Sequence, residues 1–321
     1  MTSSSSTPGI DADEPPPGVA ASLAYPSSRV PVMRAIYSAI KAVDECNRSA
    51  SDLDKNIKLL GYTCEMASVF LSMTSSSPSL AKGLADVHLN MSFSRYAIRL
   101  LNGLPMSLVA AAEGSWETPD ISGVEEYVEG DEVEEHLRPG RAALWASKTL
   151  SWSMLGYYPT EFLAFAKWQF PGLLHDSTPP PRRAGDGPLT KLLAAVRDGR
   201  NWRDGNWWSS VSCGFWLWYI VADIVVQVDK IRRLKAVIEA IEGSDKDAAG
   251  KDSTVKRLRA ELGAAQNMLL RESLFLLPGV HYALPGWATD PLLPRWAVGG
   301  LMFGEAVAGW AYSVGGVIVG K

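Results

Sequence analysis

Apolar and polar positions step by three and four residues along most of the chain. Over 32–46, Val32, Ile36, Ala39, Val43 and Cys46 form one stripe against Arg34, Ser38, Lys41 and Glu45, which is the spacing of two helix faces. Over 52–73 the polar stripe is Asp54, Lys58, Gly61, Glu65, Ser68 and Ser72, and Ile57, Leu60, Cys64, Ala67 and Leu71 lie opposite. Over 80–104, His88, Ser92, Arg95, Arg99 and Asn102 oppose Leu89, Phe93, Tyr96, Leu100 and Leu104, until Gly103 and Pro105 break the pattern. Further helices are predicted at 142–158 and 160–170, separated by a kink or interruption at Pro159. Two charged helices follow at 231–242 and 254–277. No useful stretch alternates with period two, and no hairpin turn separates two β-branched runs, so the fold is predicted to be all-α.

Two segments stand apart by their lack of charge. Residues 207–228 carry one acid, Asp223, and residues 296–320 carry one, Glu305. As helices they would be roughly 33 and 37 Å long at about 1.5 Å per residue, enough for a hydrocarbon core of about 30 Å. An acid near the centre costs about 2.5–3.5 kcal/mol on an insertion scale, so both are marginal spans. Trp207, Trp208 and Trp296 open these segments, where amphipathic rings gather at a membrane interface. The expected architecture is a membrane-associated helical bundle with N-terminal amphipathic helices and one or two marginal transmembrane helices. In the last segment Gly300, Gly304, Ala308 and Gly316 recur every four or eight positions, a small-residue stripe that would let helices of separate copies approach closely.

Charge alters this picture in one place. The chain's formal charge is −4, but 113–135 holds ten acids and no Lys or Arg, and without them the remainder is +6. The stretch 113–138 therefore reads as a disordered acidic insert, 1–29 as a disordered Ser/Pro-rich tail without a signal peptide, and 171–205 as a polar loop, all around one domain at 30–320. Three Cys without a C-x-x-C and four scattered His give no metal site, and no cofactor is expected. Nucleophile-elbow, zinc-protease and Walker motifs are absent, so no catalytic residue is assigned and the protein is not expected to be an enzyme. Basic residues are not interleaved with aromatics in a patch, which excludes nucleic acid as the expected partner.

Four blocks carry a resemblance. They are the run 54–62 (DKNIKLLGY), the run 94–101 (SRYAIRLL), the run 156–162 (GYYPTEF), and Arg271-Glu272 with His281-Tyr282-Ala283-Leu284 ahead of a Gly-rich end. In order and spacing these blocks resemble the peroxisomal biogenesis factor 11 family (peroxin-11), in its diverged fungal-type form. Phe162 stands where the family often carries His. The resemblance implies a peroxisomal membrane protein that elongates the membrane before fission and controls peroxisome number. It also implies homo-oligomers, import by the receptor peroxin-19, and contact with dynamin-type fission machinery.

The candidate lipid-binding residues are Lys55, Lys58, Arg95 and Arg99, whose cations would meet lipid phosphates, with Leu89, Phe93, Tyr96 and Leu100 in the acyl region. A second reading of Arg95 and Arg99 pairs them with an acid from another helix, such as Glu65. A second function class also stays open: a pore for small metabolites, lined by Lys148, Asp223 and Glu305.

Overall fold

The computed structural model describes residues 50–113, 138–170, 204–243 and 251–318. Every described residue belongs to one compact unit. The predicted first helix at 32–46, the N-terminal tail, most of the acidic insert and most of the polar loop lie outside the described residues.

Seven α-helices make up the described structure, and no strand occurs among the described residues. They are α1 (Ala50–Thr74), α2 (Pro78–Ile98), α3 (Leu104–Glu113), α4 (Arg141–Gln169), α5 (Gly205–Gly243), α6 (Lys251–Ala283) and α7 (Arg295–Ile318). A π-helical stretch, Arg99–Gly103, joins α2 to α3 without a loop. The break expected at Gly103 and Pro105 is therefore a local widening of one continuous rod. Gly103 is required there because a Cβ would lie 2.5 Å from Cζ of Tyr158 on α4. Pro159 likewise lies inside α4 without ending it, and Pro278 inside α6. The two helices expected at 207–228 and 231–242 are one helix, α5, of 39 residues.

α1 and α2 run antiparallel, as do α4 and α5, α5 and α6, and α6 and α7. Between α1 and α2 the turn includes Ser75 at φ 53°, a left-handed residue that reverses the chain within a few positions. One core group joins Tyr62 of α1, Ile220 of α5, Phe275 of α6 and Val298 and Met302 of α7. Another packs Leu150 of α4 on Ala222 and Val226 of α5. A third binds the far half of α5 (Leu234, Val237, Ile238, Ile241) to Leu258 at the start of α6.

Around that third group the surface is that of a water-soluble hairpin, with Arg232, Lys235, Glu239, Lys256, Arg257 and Arg259 outside. Elsewhere the pattern is reversed. Buried positions include Lys58, Glu65, Ser68, Arg95, Ser107, Ser147, Ser151, Glu161, Ser212, Asp223 and Glu305. Exposed positions include Phe70, Met73 (73%), Leu89, Leu101 (77%), Met106, Trp145, Trp152 (71%), Trp218 and Val221. The polar stripes of α1 and α2 face inwards.

Among the described residues one helix, α5, is long and apolar enough to cross a membrane by length and composition. The second expected span, on α7, does not meet that test among those residues.

Candidate functional site

The inward polar stripe of α1 meets an inward polar stripe on α2, and the antiparallel register brings matching groups level. Nε and Nη2 of Arg95 donate to Oδ1 and Oδ2 of Asp54 at 2.8 and 3.1 Å. Nδ1 of His88 donates to the Gly61 carbonyl at 3.0 Å, and Oγ of Ser68 donates to the Ala81 carbonyl at 2.7 Å. One turn beyond Arg95, Nη1 of Arg99 reaches across to α4, donating to Tyr157 Oη at 2.8 Å and to Glu161 Oε1 at 2.6 Å. The Tyr157 hydroxyl also donates to Glu161.

A second knot lies where α1, α6 and α7 meet. Glu305 is 0% exposed and takes two cations at once. Lys58 from α1 donates to its Oε2, and Nε and Nη2 of Arg271 from α6 donate to Oε1 at 2.9 and 2.7 Å. The Lys58 ammonium also sits 4.0 Å from the centroid of the Phe275 ring, a cation–π contact. The third link is Arg295 at the start of α7, donating from Nε and Nη2 to Oε1 and Oε2 of Glu65 at 2.6 and 2.8 Å.

These surroundings set the charge states. Burial pushes the Asp54 carboxyl up, but the Arg99 and Arg95 guanidiniums outweigh it and hold the group below its ordinary value. Burial pushes the Lys58 ammonium down, against the opposing pull of Glu305. Burial also lowers His88, which favours the neutral imidazole that bonds Gly61.

The expected lipid-facing cations are therefore placed differently. Arg95 and Arg99 are turned into the bundle, because Asp54 and Glu161 supply countercharges there. Of the two readings open in the sequence, pairing with an acid of another helix is the observed arrangement. The acid is not Glu65, which belongs to Arg295. Lys58 is buried against Glu305, and Lys55 is half-buried on α1. Phe93 and Tyr96 pack at a tilt against Phe165 of α4, at centroid distances of 5.7 and 5.6 Å, and Tyr96 also meets Trp168. Leu100 is half-buried in the π-helical stretch, whereas Leu89 is exposed.

On α7 the small-residue stripe is split. A Cβ on Gly300 would meet nothing within 4 Å, whereas one on Gly304 would touch Leu274 of α6 at 3.8 Å. The Ala308 carbonyl accepts from Asn267 Nδ2 at 3.3 Å. Gly316 lies on the last turns of α7, outside the residues whose surroundings are described. The residues suggested for a pore do not converge on one lining. Lys148 is exposed, Asp223 is buried beside Gln227, and Glu305 is held by Lys58 and Arg271.

Sequence reasoning missed the roles of Tyr157, Glu161, Arg271 and Arg295 as partners. The available signal was the composition of the α1 stripe: Asp54, Lys58 and Glu65 within three turns alternate in sign and each needs a counterpart.

Residues 40–124 match the family model described as Peroxisomal biogenesis factor 11 (PEX11), about a quarter of the 321-residue chain. Comparison with curated proteins and with solved structures gave no match. The matched segment holds α1, α2, the π-helical stretch and α3, and with them Asp54, Lys58, Arg95 and Arg99. Over that segment the chain is similar to the peroxisomal biogenesis factor 11 family.

Proposed function

We propose that this protein works in the peroxisomal membrane, elongating and curving it before fission and so setting peroxisome number. The family match supports a role in peroxisome biogenesis. The observation that carries the mechanism is the reversed polarity of α1 to α4, with charges and hydroxyls inside and large apolar side chains outside. A water-soluble bundle shows the opposite arrangement, and exposed apolar surface on this scale calls for a non-aqueous neighbour. In lipid, ionisable groups face the bundle interior and pair with one another, as Glu305, Lys58 and Arg271 do.

On this reading α5 crosses the bilayer through its 207–228 portion. The outer faces of α1 to α3 (Phe70, Met73, Leu80, Leu89, Leu101 and Met106) lie in one leaflet, at a depth of about 5–10 Å. Area added to one leaflet favours positive curvature, and many copies side by side draw a vesicle into a tubule. Self-association through α7, import by peroxin-19 and recruitment of dynamin-type fission machinery belong to the same proposal.

The test is tubulation of liposomes by the purified full chain, seen by electron microscopy. The triple variant Phe70→Glu, Met73→Glu, Leu101→Glu alters exposed positions alone. It is expected to keep its helicity and lose tubulation. Tubules of unchanged length and number from that variant would overturn the mechanism.

A further inference from the structure

A groove of about 640 Å³ lies between α4, α5 and the end of α6. That volume is in the range of small-molecule sites. Its walls include the rings of Trp152, Trp207, Phe215 and Trp218, and no charged residue contributes to them. Three side chains of the lining carry hydroxyls, and all three are already engaged by their own helices. Oγ1 of Thr149 donates to the Ala146 carbonyl at 2.8 Å, Oγ of Ser153 to Leu150 at 2.6 Å, and Oγ of Ser210 to Asn206 at 3.0 Å. An occupant therefore finds mostly hydrocarbon and ring surface, with each hydroxyl proton already committed to its own helix.

The placement of the groove narrows the choice further. Its α5 wall is the first half of the one helix among the described residues apolar enough to span a membrane. Trp152 and Trp218 are among the most exposed large side chains, so the groove opens onto the surface that also carries Trp145 and Val221. Trp207, at the head of α5, stands at the groove and packs edge-on against Trp208, at the position of an interfacial belt. An uncharged cleft in that face, open to the hydrocarbon, is complementary to an uncharged flexible chain.

We propose that this groove seats one acyl chain of a bilayer phospholipid, separately from the leaflet contact made by α1 to α3. The inference rests on the membrane reading above. It adds a discrete lipid site on α4 and α5.

Gly214 offers a clean test. It lines the groove, and a Cβ there would meet nothing within 4 Å, so Gly214→Leu directs its side chain into the cleft from an open position and removes a helix-interior glycine. Gly263 on α6 is equally open and does not line the groove, so Gly263→Leu is the control. The full-length chain is reconstituted in liposomes containing a phosphatidylcholine with a diazirine at the end of one acyl chain. After irradiation, labelled peptides are mapped by mass spectrometry.

Label is expected on the groove-lining stretches of α4 and α5. Displacing about two methylenes from contact should cut it by roughly tenfold in Gly214→Leu, with Gly263→Leu unchanged. Gly214→Asp, which sets a charge in the cleft, should lower it as well. Equal labelling of wild type and Gly214→Leu would overturn the site, and so would groove labelling by a diazirine fatty acid but not by the phospholipid. Flotation of the same samples separates the two levels. A chain that floats with liposomes but labels no groove peptide overturns this site alone, whereas a chain that does not float overturns the membrane reading with it.

Discussion

Arg95 on α2 clasps Asp54 on α1 through two parallel hydrogen bonds of 2.8 and 3.1 Å, with the Arg95 side chain almost wholly buried. Removing one member of such a pair leaves the other charge without a partner in a dry place, which costs about 3–5 kcal/mol. Arg95→Glu is therefore expected to open the α1–α2 hairpin rather than merely weaken a surface contact. Limited proteolysis in detergent should show new cleavage within 50–98. The charge swap Asp54→Arg with Arg95→Asp should recover part of the protection, and no recovery would count against the pair as the hairpin's main clasp.

Asp54 also gives a dependence on pH. Its carboxyl titrates lower in the folded protein than in the unfolded chain, because Arg99 and Arg95 outweigh burial. Its contribution to stability is thus fully present above the unfolded value, near 3.8, and is lost as pH falls through the lower folded value. Asp54→Asn should remove that part of the acid sensitivity. Denaturation midpoints of wild type and variant should converge as the medium is acidified through this range.

Glu305 is the acid on which α1, α6 and α7 converge. Glu305→Gln would leave the Lys58 ammonium and the Arg271 guanidinium close together with no anion between them. A loss of about 3–5 kcal/mol is expected. Adding Lys58→Met should return a measurable fraction, since one buried cation is then gone. Equal unfolding midpoints for the single and double variants would show that the two side chains do not act as one unit.

The sequence made much of this legible, and the limits are physical. Helix positions came from spacing, and among the described residues those segments are helical, although 142–158 is joined to 160–170 and 207–228 to 231–242. The stripes on α1 and α2 were also visible. What spacing cannot tell is which stripe faces in, because a helix with one polar and one apolar face satisfies the same period either way round. That choice depends on what lies opposite. Arg99 faces inward because Glu161, 62 positions later, waits there, and Lys58 because Glu305 does, 247 positions later. Local pattern carries no record of such distant pairings. Continuity across Gly103 was hidden for a similar reason. A glycine and a proline within three positions read as a break, yet here the glycine makes room for the Tyr158 ring.

That close approach makes its own prediction. Gly103→Val would drive its side chain into Tyr158, and overpacking of this kind costs about 1–3 kcal/mol. Tyr158→Phe should not relieve it, because the nearest ring atom is Cζ and not the hydroxyl. Tyr158→Ala should. Thermal midpoints in detergent for the three double and single variants test this ordering.

On α7, Gly300→Leu adds bulk into open space, so the fold is expected to tolerate it. If copies associate through this face, as proposed, crosslinked dimers in membranes should fall with Gly300→Leu while attachment persists. Gly304→Leu should also disturb Leu274 of α6 and so lower stability as well as association. Undiminished crosslinking in Gly300→Leu would exclude this face from the contact.

The length of α5 has a consequence for how such a protein would sit. Its 39 residues make a rod of roughly 58 Å at about 1.5 Å per residue, nearly twice a hydrocarbon core of about 30 Å. Its outer surface changes from Val221 and Val228 to Lys230, Arg232 and Lys235 within about two turns. A continuous helix cannot slide that charged half inwards, nor draw the apolar half out into water. Each copy would therefore be pinned at one vertical position, with its far hairpin standing clear of the headgroups by some 20 Å. Copies gathered at the same depth would present those hairpins as a level row above the membrane, spaced by the packing of the bundles below.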